Sequence, residues 1–227
     1  MSRREFIPRV DVLPQAQQLL WTELEETPDS FVLYGGTGLA LQLGHCQSEY
    51  FDFFSSEPFL PDELLRGVRY STGAVVLDGR QNTLTCSLER NQGQVKISFF
   101  GNLALRRVED PLRPKGMRLH VASRLDIAAS KMGVIQRRAF AKDYIDIAAL
   151  LDAGVSLEQA LGAARAVYGR AFDPLVSLKA PAYYGDGSLQ SVPEQVQRRL
   201  SNEAKKIELA SIPLLTGHAG LAGGKCL

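Results

Sequence analysis

Residues 35–54 read Gly-Gly-Thr-Gly-Leu-Ala-Leu-Gln-Leu-Gly-His-Cys-Gln-Ser-Glu-Tyr-Phe-Asp-Phe-Phe. The apolar residues 31–34 precede the paired glycines, and this order predicts a buried strand that ends in a tight turn. Thr37 is expected to cap the following helix, and Gly44 is expected to end it. The start of such a helix presents backbone N–H groups and a positive dipole end, which together suit a phosphate.

The alternating residues 50–54 predict a second strand. Successive strand side chains point to opposite faces, so Phe51 and Phe53 should pack inward while Tyr50 and Asp52 share the other face. Two carboxylates spaced in this way would suit Mg²⁺, but the phenol of Tyr50 is a poor magnesium ligand at neutral pH. Glu49 could replace it only through a β-bulge.

Three blocks of sequence carry a family resemblance. They are the stretch from Gly35 through Ser55, residues 125–147 with Lys131, Arg137-Arg138 and Lys142-Asp143-Tyr144-Ile145-Asp146, and a weaker segment at residues 178–186. In this order and spacing they resemble the nucleotidyltransferase AbiEii/AbiGii toxin family, a branch of the DNA polymerase β-like nucleotidyltransferase superfamily. The resemblance covers roughly residues 10–205.

The resemblance implies a role for each matching residue. Gly35, Gly36 and Thr37 would form the phosphate-binding turn. Asp52 would be a metal ligand, at a motif where family members usually have aspartate in place of Tyr50. Lys131 would contact the nucleotide, Asp143 would be a catalytic acid of the later motif, and Asp146 would have a minor role.

The glycine turn, Asp143 and Asp146 also have a structural interpretation. Strand-to-helix turns use glycine for geometry in many proteins, so the turn alone does not establish phosphate binding. Lys142 and Asp146 could form a surface pair four residues apart, and Asp143 could be a solvated charge in the first helical turn.

The activity implied by the resemblance is transfer of a nucleoside monophosphate from an NTP to an acceptor hydroxyl with Mg²⁺. Such a protein would be the toxin of a toxin–antitoxin or phage-defence pair, with an antitoxin as partner and tRNA or another RNA as the acceptor to test first.

Two alternatives stay open. The first is a weakened or inactive relative that binds NTP or RNA, because Tyr50 replaces an acid and the outward positions Lys96 and Ser98 of the later strand supply none. The second is an unrelated α/β protein.

The expected fold class is α/β (α+β): a polymerase β-like nucleotidyltransferase fold with a small mixed sheet, followed by a helical C-terminal half. We expect a core at residues 1–120, a helical half at 121–212 that supplies Lys131 and Asp143, and a flexible tail at 213–227. Strands are predicted at 68–77, 83–89 and 95–100, with turns at 78–82 and 91–93. Helices are predicted at 15–26, 61–67, 123–137, 141–152, 156–168 and 193–206.

Composition sets the remaining expectations. The chain has 227 residues, 45% of them hydrophobic, and a formal net charge of +1, so net charge gives no argument for nucleic acid. One segment is locally basic and could either bind an RNA backbone or simply be solvated. Its basic residues are Arg106, Arg107, Arg113, Lys115, Arg118 and His120. Cys46, Cys86 and Cys226 are widely spaced, which favours a reducing, cytoplasmic location, and no membrane-spanning stretch is expected.

Overall fold

A computed structural model describes residues 4–223 of the chain, which forms two units. Within the described residues, unit 1 comprises 4–105, 110–123 and 219–223, and unit 2 comprises 106–109 and 124–218. The short segment 106–109 belongs to unit 2 because the Asp126 carboxylate accepts the backbone N–H groups of Val108, at 2.6 Å, and Glu109, at 3.0 Å.

The described residues contain strands and helices in alternation through the first half and mainly helices in the second. The strands are β1 (Glu5–Phe6), β2 (Val32–Tyr34), β3 (Tyr50–Phe54), β4 (Val75–Arg80), β5 (Thr83–Arg90), β6 (Gly93–Phe100), β7 (Arg106–Arg107), β8 (Arg113–Pro114), β9 (His120–Val121) and β10 (His218–Ala219). The helices are α1 (Gln15–Trp21), α2 (Gly35–Leu43), α3 (Pro61–Gly67), α4 (Arg124–Val134), α5 (Ala141–Asp152), α6 (Leu157–Tyr168), α7 (Pro174–Lys179) and α8 (Glu194–Lys206).

Unit 1 is built on a six-stranded mixed sheet with the strand order β4-β5-β6-β3-β2-β9. The β4-β5-β6 meander is antiparallel, β3 runs parallel to β6 and antiparallel to β2, and β9 is parallel to β2. The expected small mixed sheet is therefore present. It places β3 between β2 and β6, at the centre of the sheet.

The core of unit 1 lies on the sheet face that carries Phe51 and Phe53, both fully buried. The Phe53 ring stacks on Phe99 of β6 with centroids 5.0 Å apart, and α1 contributes Leu20 and Trp21 to the same cluster. Burial of these apolar side chains is the main source of stability for the sheet. The predicted alternation of β3 is confirmed, because its odd-numbered residues face this core.

Unit 2 packs its helices closely through a glycine. A Cβ added at Gly133 of α4 would lie 2.7 Å from the Tyr168 ring at the end of α6, so only glycine permits this approach. Helix α6 begins with a capping box in which the Ser156 hydroxyl accepts the Gln159 N–H and the Gln159 side chain accepts the Ser156 N–H.

The structure corrects the prediction of a strand at residues 68–77. Residues Arg69–Ser71 form a single helical turn, which buries Tyr70, and β4 starts only at Val75. The predicted turn at 78–82 is correspondingly wrong in its first part, because Asp78 to Arg80 belong to β4 and the chain reverses at Gln81 and Asn82. Asn82 has the positive φ of 61° that such a hairpin needs.

Residues 213–223 differ from the flexible tail that was expected there. They include β10 and the buried Leu221, whose backbone N–H donates to the Ser56 hydroxyl at 3.1 Å. Gly224 to Leu227, and with them Cys226, lie outside the described residues. No single helix in residues 4–223 is long and apolar enough to cross a membrane, and only the bent pair Ala141–Asp152 and Leu157–Ala171 reaches that length and composition together.

Candidate functional site

Helix α2 starts directly at the end of β2, without an intervening loop. Gly35 is its first residue and has a φ of +70°, a conformation that L side chains rarely adopt. The helix ends as predicted at Gly44, which has the left-handed conformation and a φ of 69°. The backbone N–H groups of the first turn, at Gly35, Gly36 and Thr37, lie at the positive end of the helix dipole.

Thr37 does not cap this helix, which corrects the prediction. The N-cap position is Tyr34, without a side-chain capping bond, and Thr37 is the third residue of the helix, with only 1% of its surface exposed. Its hydroxyl donates a hydrogen bond to the backbone carbonyl of Tyr50. Thr37 therefore connects α2 to β3, and its hydroxyl is committed to the strand.

Asp52 lies beside the start of α2. It is opposite Tyr34 of β2 and Ser98 of β6, and it is half-buried. A Cβ placed on Gly35 would come within 3.0 Å of the Asp52 Oδ2 atom. Glycine at position 35 therefore allows the carboxylate to approach the first residue of the helix closely.

The sheet face around Asp52 carries little other negative charge. Tyr50 and its partner across the ladder, Lys96, are both exposed, and the Lys96 Nζ lies 5.3 Å from the centre of the Tyr50 ring. Ser98 is buried and accepts a hydrogen bond from the Thr85 hydroxyl at 3.3 Å. The pairing of β3 with β6 is continuous from Tyr50 to Phe54, so β3 itself contains no bulge, and Glu49 lies before the strand.

The next acid in the row of Asp52 is too far away to share a metal ion with it. Asp78 of β4 is opposite Thr85, which is opposite Ser98, which is opposite Asp52. Three strand spacings amount to roughly 14 Å. The Asp78 carboxylate also pairs with Arg80 at 2.7 Å.

These donors fit one Mg²⁺ ion and do not fit two. Magnesium is commonly held by one or two carboxylates together with substrate phosphates, and Asp52 supplies one such carboxylate next to a helix N-terminus. A protein-held two-metal site would need further carboxylates, and the described neighbours of Asp52 on this face are a phenol, an ammonium and a hydroxyl.

A second candidate cluster lies in unit 2, between α4 and α5. The Lys131 ammonium is 2.8 Å from the Asp143 Oδ1 and 2.5 Å from the Asp146 Oδ2. Arg138 completes the cluster through two bonds to Asp143, from Nε at 2.9 Å and from Nη2 at 3.2 Å. Two cations and two anions make the group neutral.

Burial distinguishes this cluster from a surface ion pair. Lys131, Asp143 and Asp146 are 5%, 2% and 0% exposed, so the interpretation of Asp146 as a surface partner of Lys142 is wrong, as is that of Asp143 as a solvated charge. Burial by itself lowers the pKa of Lys131, but attraction to Asp146 and Asp143 outweighs it and the net pKa shift is upward. Lys131 is therefore fully charged at neutral pH.

Arg138 is the residue of this cluster that sequence reasoning missed. Its guanidinium is half exposed and lies 4.8 Å from the centre of the exposed Phe140 ring. A signal was available, because Arg138 stands inside the second block of resemblance, four residues before Lys142. Sequence periodicity could not assign it, because Arg138 lies between α4 and α5 and its partner Asp143 lies in the first turn of α5.

The residues of the locally basic segment are divided between the two units. Arg106 and Arg107 belong to unit 2, whereas the other four residues belong to unit 1. Within unit 1, Arg118 lies 3.7 Å from the Asp29 carboxylate, and His120 contacts both the Arg113 guanidinium, at 2.9 Å, and the Asp29 carbonyl, at 3.0 Å. These contacts use part of the hydrogen-bonding capacity of the basic segment within unit 1.

The chain matches the sequence profile of a family described as nucleotidyl transferase AbiEii toxin, type IV TA system, over residues 18–213. Among curated proteins it is similar to the uncharacterized protein aq_aa25 of Aquifex aeolicus (strain VF5), with 30% identity over 121 residues. That match covers 52% of this chain and 56% of the relative, so the chain spans about half the length of this curated relative.

A solved structure shows the same fold. MenT4, a nucleotidyltransferase toxin from Mycobacterium tuberculosis H37Rv, is 17% identical and superposes with a TM-score of 0.57, covering 89% of this chain and 85% of MenT4. A candidate nucleotidyltransferase from H. pylori is also 17% identical, with a TM-score of 0.47 and coverage of 84% and 92%. The mixed sheet and its helices thus form a nucleotidyltransferase fold.

Proposed function

Because this chain belongs to the nucleotidyl transferase AbiEii toxin family of type IV toxin–antitoxin systems, we propose that it transfers a nucleoside monophosphate from an NTP to an acceptor hydroxyl. The observation that carries the proposal is the position of Asp52, whose carboxylate lies against Gly35 at the start of α2. A carboxylate beside a helix N-terminus combines a metal ligand with an anion-binding site, which is what a metal-bound triphosphate requires.

The residues of unit 1 have distinct proposed roles. The backbone N–H groups of Gly35, Gly36 and Thr37 bind the phosphates, and the Thr37 hydroxyl holds β3 against the helix. Asp52 would hold Mg²⁺, which supplies charge neutralisation at the transferring phosphorus when it is bound. A single protein carboxylate leaves the remaining coordination positions to substrate phosphates and water.

The proposed roles of Lys131, Asp143 and Asp146 rest on the family resemblance and on the cluster itself. An ammonium has three N–H donors. Lys131 donates one to Asp143 and forms an ion pair with Asp146 at 2.5 Å, which leaves a third donor. We propose that the third contacts a phosphate oxygen of the nucleotide. Asp143 orients the ammonium and is itself oriented by Arg138, while Asp146 keeps Lys131 charged.

The acceptor and the partner are also part of the proposal. RNA is the acceptor class that we place first, with tRNA as its first test case, and the toxin–antitoxin family implies an antitoxin partner. We propose a cytoplasmic site of action, where both tRNA and NTP occur.

A second candidate function is a catalytically weakened or inactive relative that binds NTP or RNA. It is favoured by Tyr50 and Ser98, which stand beside Asp52 on the site face where carboxylates would strengthen metal binding. The two candidates differ in whether Asp52 alone supports turnover.

Incorporation of each labelled NTP into total tRNA tests both candidates with wild type, Asp52→Ala and Tyr50→Asp. We expect incorporation by the wild type that Asp52→Ala abolishes, and this result would reject the inactive relative. A silent wild type together with an active Tyr50→Asp variant would reject the active enzyme. Silence of all three variants, with NTP binding retained in calorimetry, would leave the binding protein. Absence of both activity and NTP binding would reject both candidates.

A further inference from the structure

We propose that Tyr50 and Lys96 form a nucleotide-binding subsite beside Asp52, in which a base stacks on the Tyr50 ring and the Lys96 ammonium binds the phosphate of the same nucleotide. The identity of the ligand rests on the proposed function, because a nucleotide is the expected ligand only if the protein is a nucleotidyltransferase. The existence of the subsite rests on the geometry of β3 and β6.

The two side chains are held at one place by the sheet. Tyr50 and Lys96 are direct partners in the parallel ladder, two residues along from the pair Asp52 and Ser98. Residues two apart on a strand share a face, so the subsite lies on the same face as the Asp52 carboxylate. The Thr37 bond to the Tyr50 carbonyl connects it to the first turn of α2.

Neither core packing nor a salt bridge explains the position of either side chain. Tyr50 leaves 47% of its surface exposed, although a large aromatic ring is normally buried when it serves packing. In residues 4–223 the Tyr50 hydroxyl and the Lys96 ammonium have no hydrogen-bond or ion-pair partner, and the Lys96 Nζ lies 5.3 Å from the centre of the Tyr50 ring. An exposed ring beside an unneutralised cation has the chemistry of a stacking site for single-stranded nucleic acid.

The substitution of an acid by Tyr50 changes what this part of the face attracts. A carboxylate there would repel a phosphate unless a metal ion stood between them, whereas the Lys96 ammonium attracts a phosphate directly. Binding at the subsite should therefore persist without Mg²⁺ and weaken as salt is raised, because cation–phosphate contacts release counterions. Independence from metal separates it from binding through Asp52.

Two sources could supply the nucleotide: the NTP itself or an unpaired nucleotide of the acceptor RNA. Both offer a π-face and a phosphate, so one experiment with two arms distinguishes them. The first arm titrates each NTP by calorimetry, and the second titrates a fluorescein-labelled single-stranded RNA hexamer by anisotropy, both in EDTA. The variants are Tyr50→Phe, Tyr50→Leu and Lys96→Gln.

We expect wild type and Tyr50→Phe to bind alike and Tyr50→Leu to bind about tenfold more weakly in one arm, which identifies the source. Lys96→Gln should reduce the dependence of log K on log salt by about one unit in that arm. Matched controls in the other unit are Tyr183→Leu, which removes a 62% exposed ring, and Lys179→Gln, and both should leave affinity unchanged. Thermal melting of every variant checks that each is folded.

Equal affinities of wild type and Tyr50→Leu in both arms, or an equal loss in Tyr183→Leu, would overturn the subsite. So would a wild type that binds neither probe in EDTA. The proposed function fails separately, when the wild type incorporates no NTP in the presence of Mg²⁺. Binding is measured without turnover, so neither failure can be mistaken for the other.

Discussion

The hydroxyl of Thr37 donates to the backbone carbonyl of Tyr50, so the first turn of α2 is bonded to the first residue of β3. Thr37→Val keeps the shape of the side chain and removes the donor, which leaves a carbonyl oxygen without this partner. We expect a loss of about 1–2 kcal/mol in the free energy of unfolding, measured with urea, and weaker NTP binding. Thr37→Ser retains the hydroxyl and should stay close to the wild type. Equal losses in both variants would show that the bond contributes nothing.

Gly35→Ala should displace the Asp52 carboxylate in addition to straining the backbone at position 35. The added methyl group would meet the Asp52 Oδ2 atom at 3.0 Å, in addition to the cost of a φ of +70°. Gly73→Ala is the matched control, because Gly73 has a φ of +78° and no atom within 4 Å of the added Cβ. We expect Gly73→Ala to cost about 1–2 kcal/mol and to retain activity.

Gly35→Ala should cost more than Gly73→Ala in the same urea titration, and it should also lower nucleotide incorporation. The additional loss in the free energy of unfolding measures the effect of the contact between the added methyl group and Asp52. An activity of Gly35→Ala equal to that of Gly73→Ala would contradict the close approach of Gly35 and the carboxylate.

Removal of Lys131 should be strongly destabilising because it leaves a buried acid without its cation. Lys131→Met is expected to lower the free energy of unfolding by about 3–5 kcal/mol. Asp143 keeps its ion pair with Arg138 in this variant, whereas the ion pair between Lys131 and Asp146 is lost. The double variant Lys131→Met/Asp146→Asn should cost less than the sum of its two single variants.

Lys142→Met serves as the control for that cycle, since Lys142 is exposed on the same helix as the two acids. We expect its effect to stay within about 0.5 kcal/mol. Additive losses in the Lys131 and Asp146 cycle would mean that the ion pair does not couple the two helices.

The upward pKa shift of Lys131 predicts a loss of stability in alkali. Its folded pKa lies above its unfolded value of about 10.4, so the folded protein binds the proton more tightly. This contribution is fully present below about pH 10.4 and is lost as the pH rises through the folded pKa. The stability difference between wild type and Lys131→Met should be constant from about pH 7 to about pH 10 and should shrink above it. A difference that grows with pH would reverse the sign of the shift.

The sequence predicts well those elements whose side chains follow a simple period. Helices α3 and α5 have the predicted bounds of 61–67 and 141–152, and the alternation of β3 places Asp52 and Tyr50 on the predicted face. These predictions succeed because apolar spacing determines which face is buried. The β5-β6 hairpin is confirmed for the same reason.

Elsewhere, tertiary contacts override local composition. Asp78-Gly79-Arg80 has the composition of a turn, yet it extends β4 because it pairs with β5 and its two charges pair with each other. The residues 68–71 have strand-forming side chains, yet Tyr70 is buried by a helical turn and its hydroxyl bonds to Thr27, 43 residues away.

The same limitation applies to the candidate sites. Periodicity can place Lys131 on a helix, but it cannot show that two acids from the next helix bury its ammonium. Thr37 has the residue type of a cap, and only the distant carbonyl of Tyr50 explains its position inside the helix. Partners far apart in sequence decide both cases.

The alternation of β3 also assigns packing and ligand binding to different residues of the same five-residue strand. Phe51 and Phe53 specify how the sheet packs, whereas positions 50 and 52 specify what its open face can bind. An exchange at position 50 leaves every core contact in place, so the chain can change its chemistry without changing its architecture. A protein that keeps the two phenylalanines and differs at position 50 would therefore keep this sheet and differ in the ligands that its open face attracts.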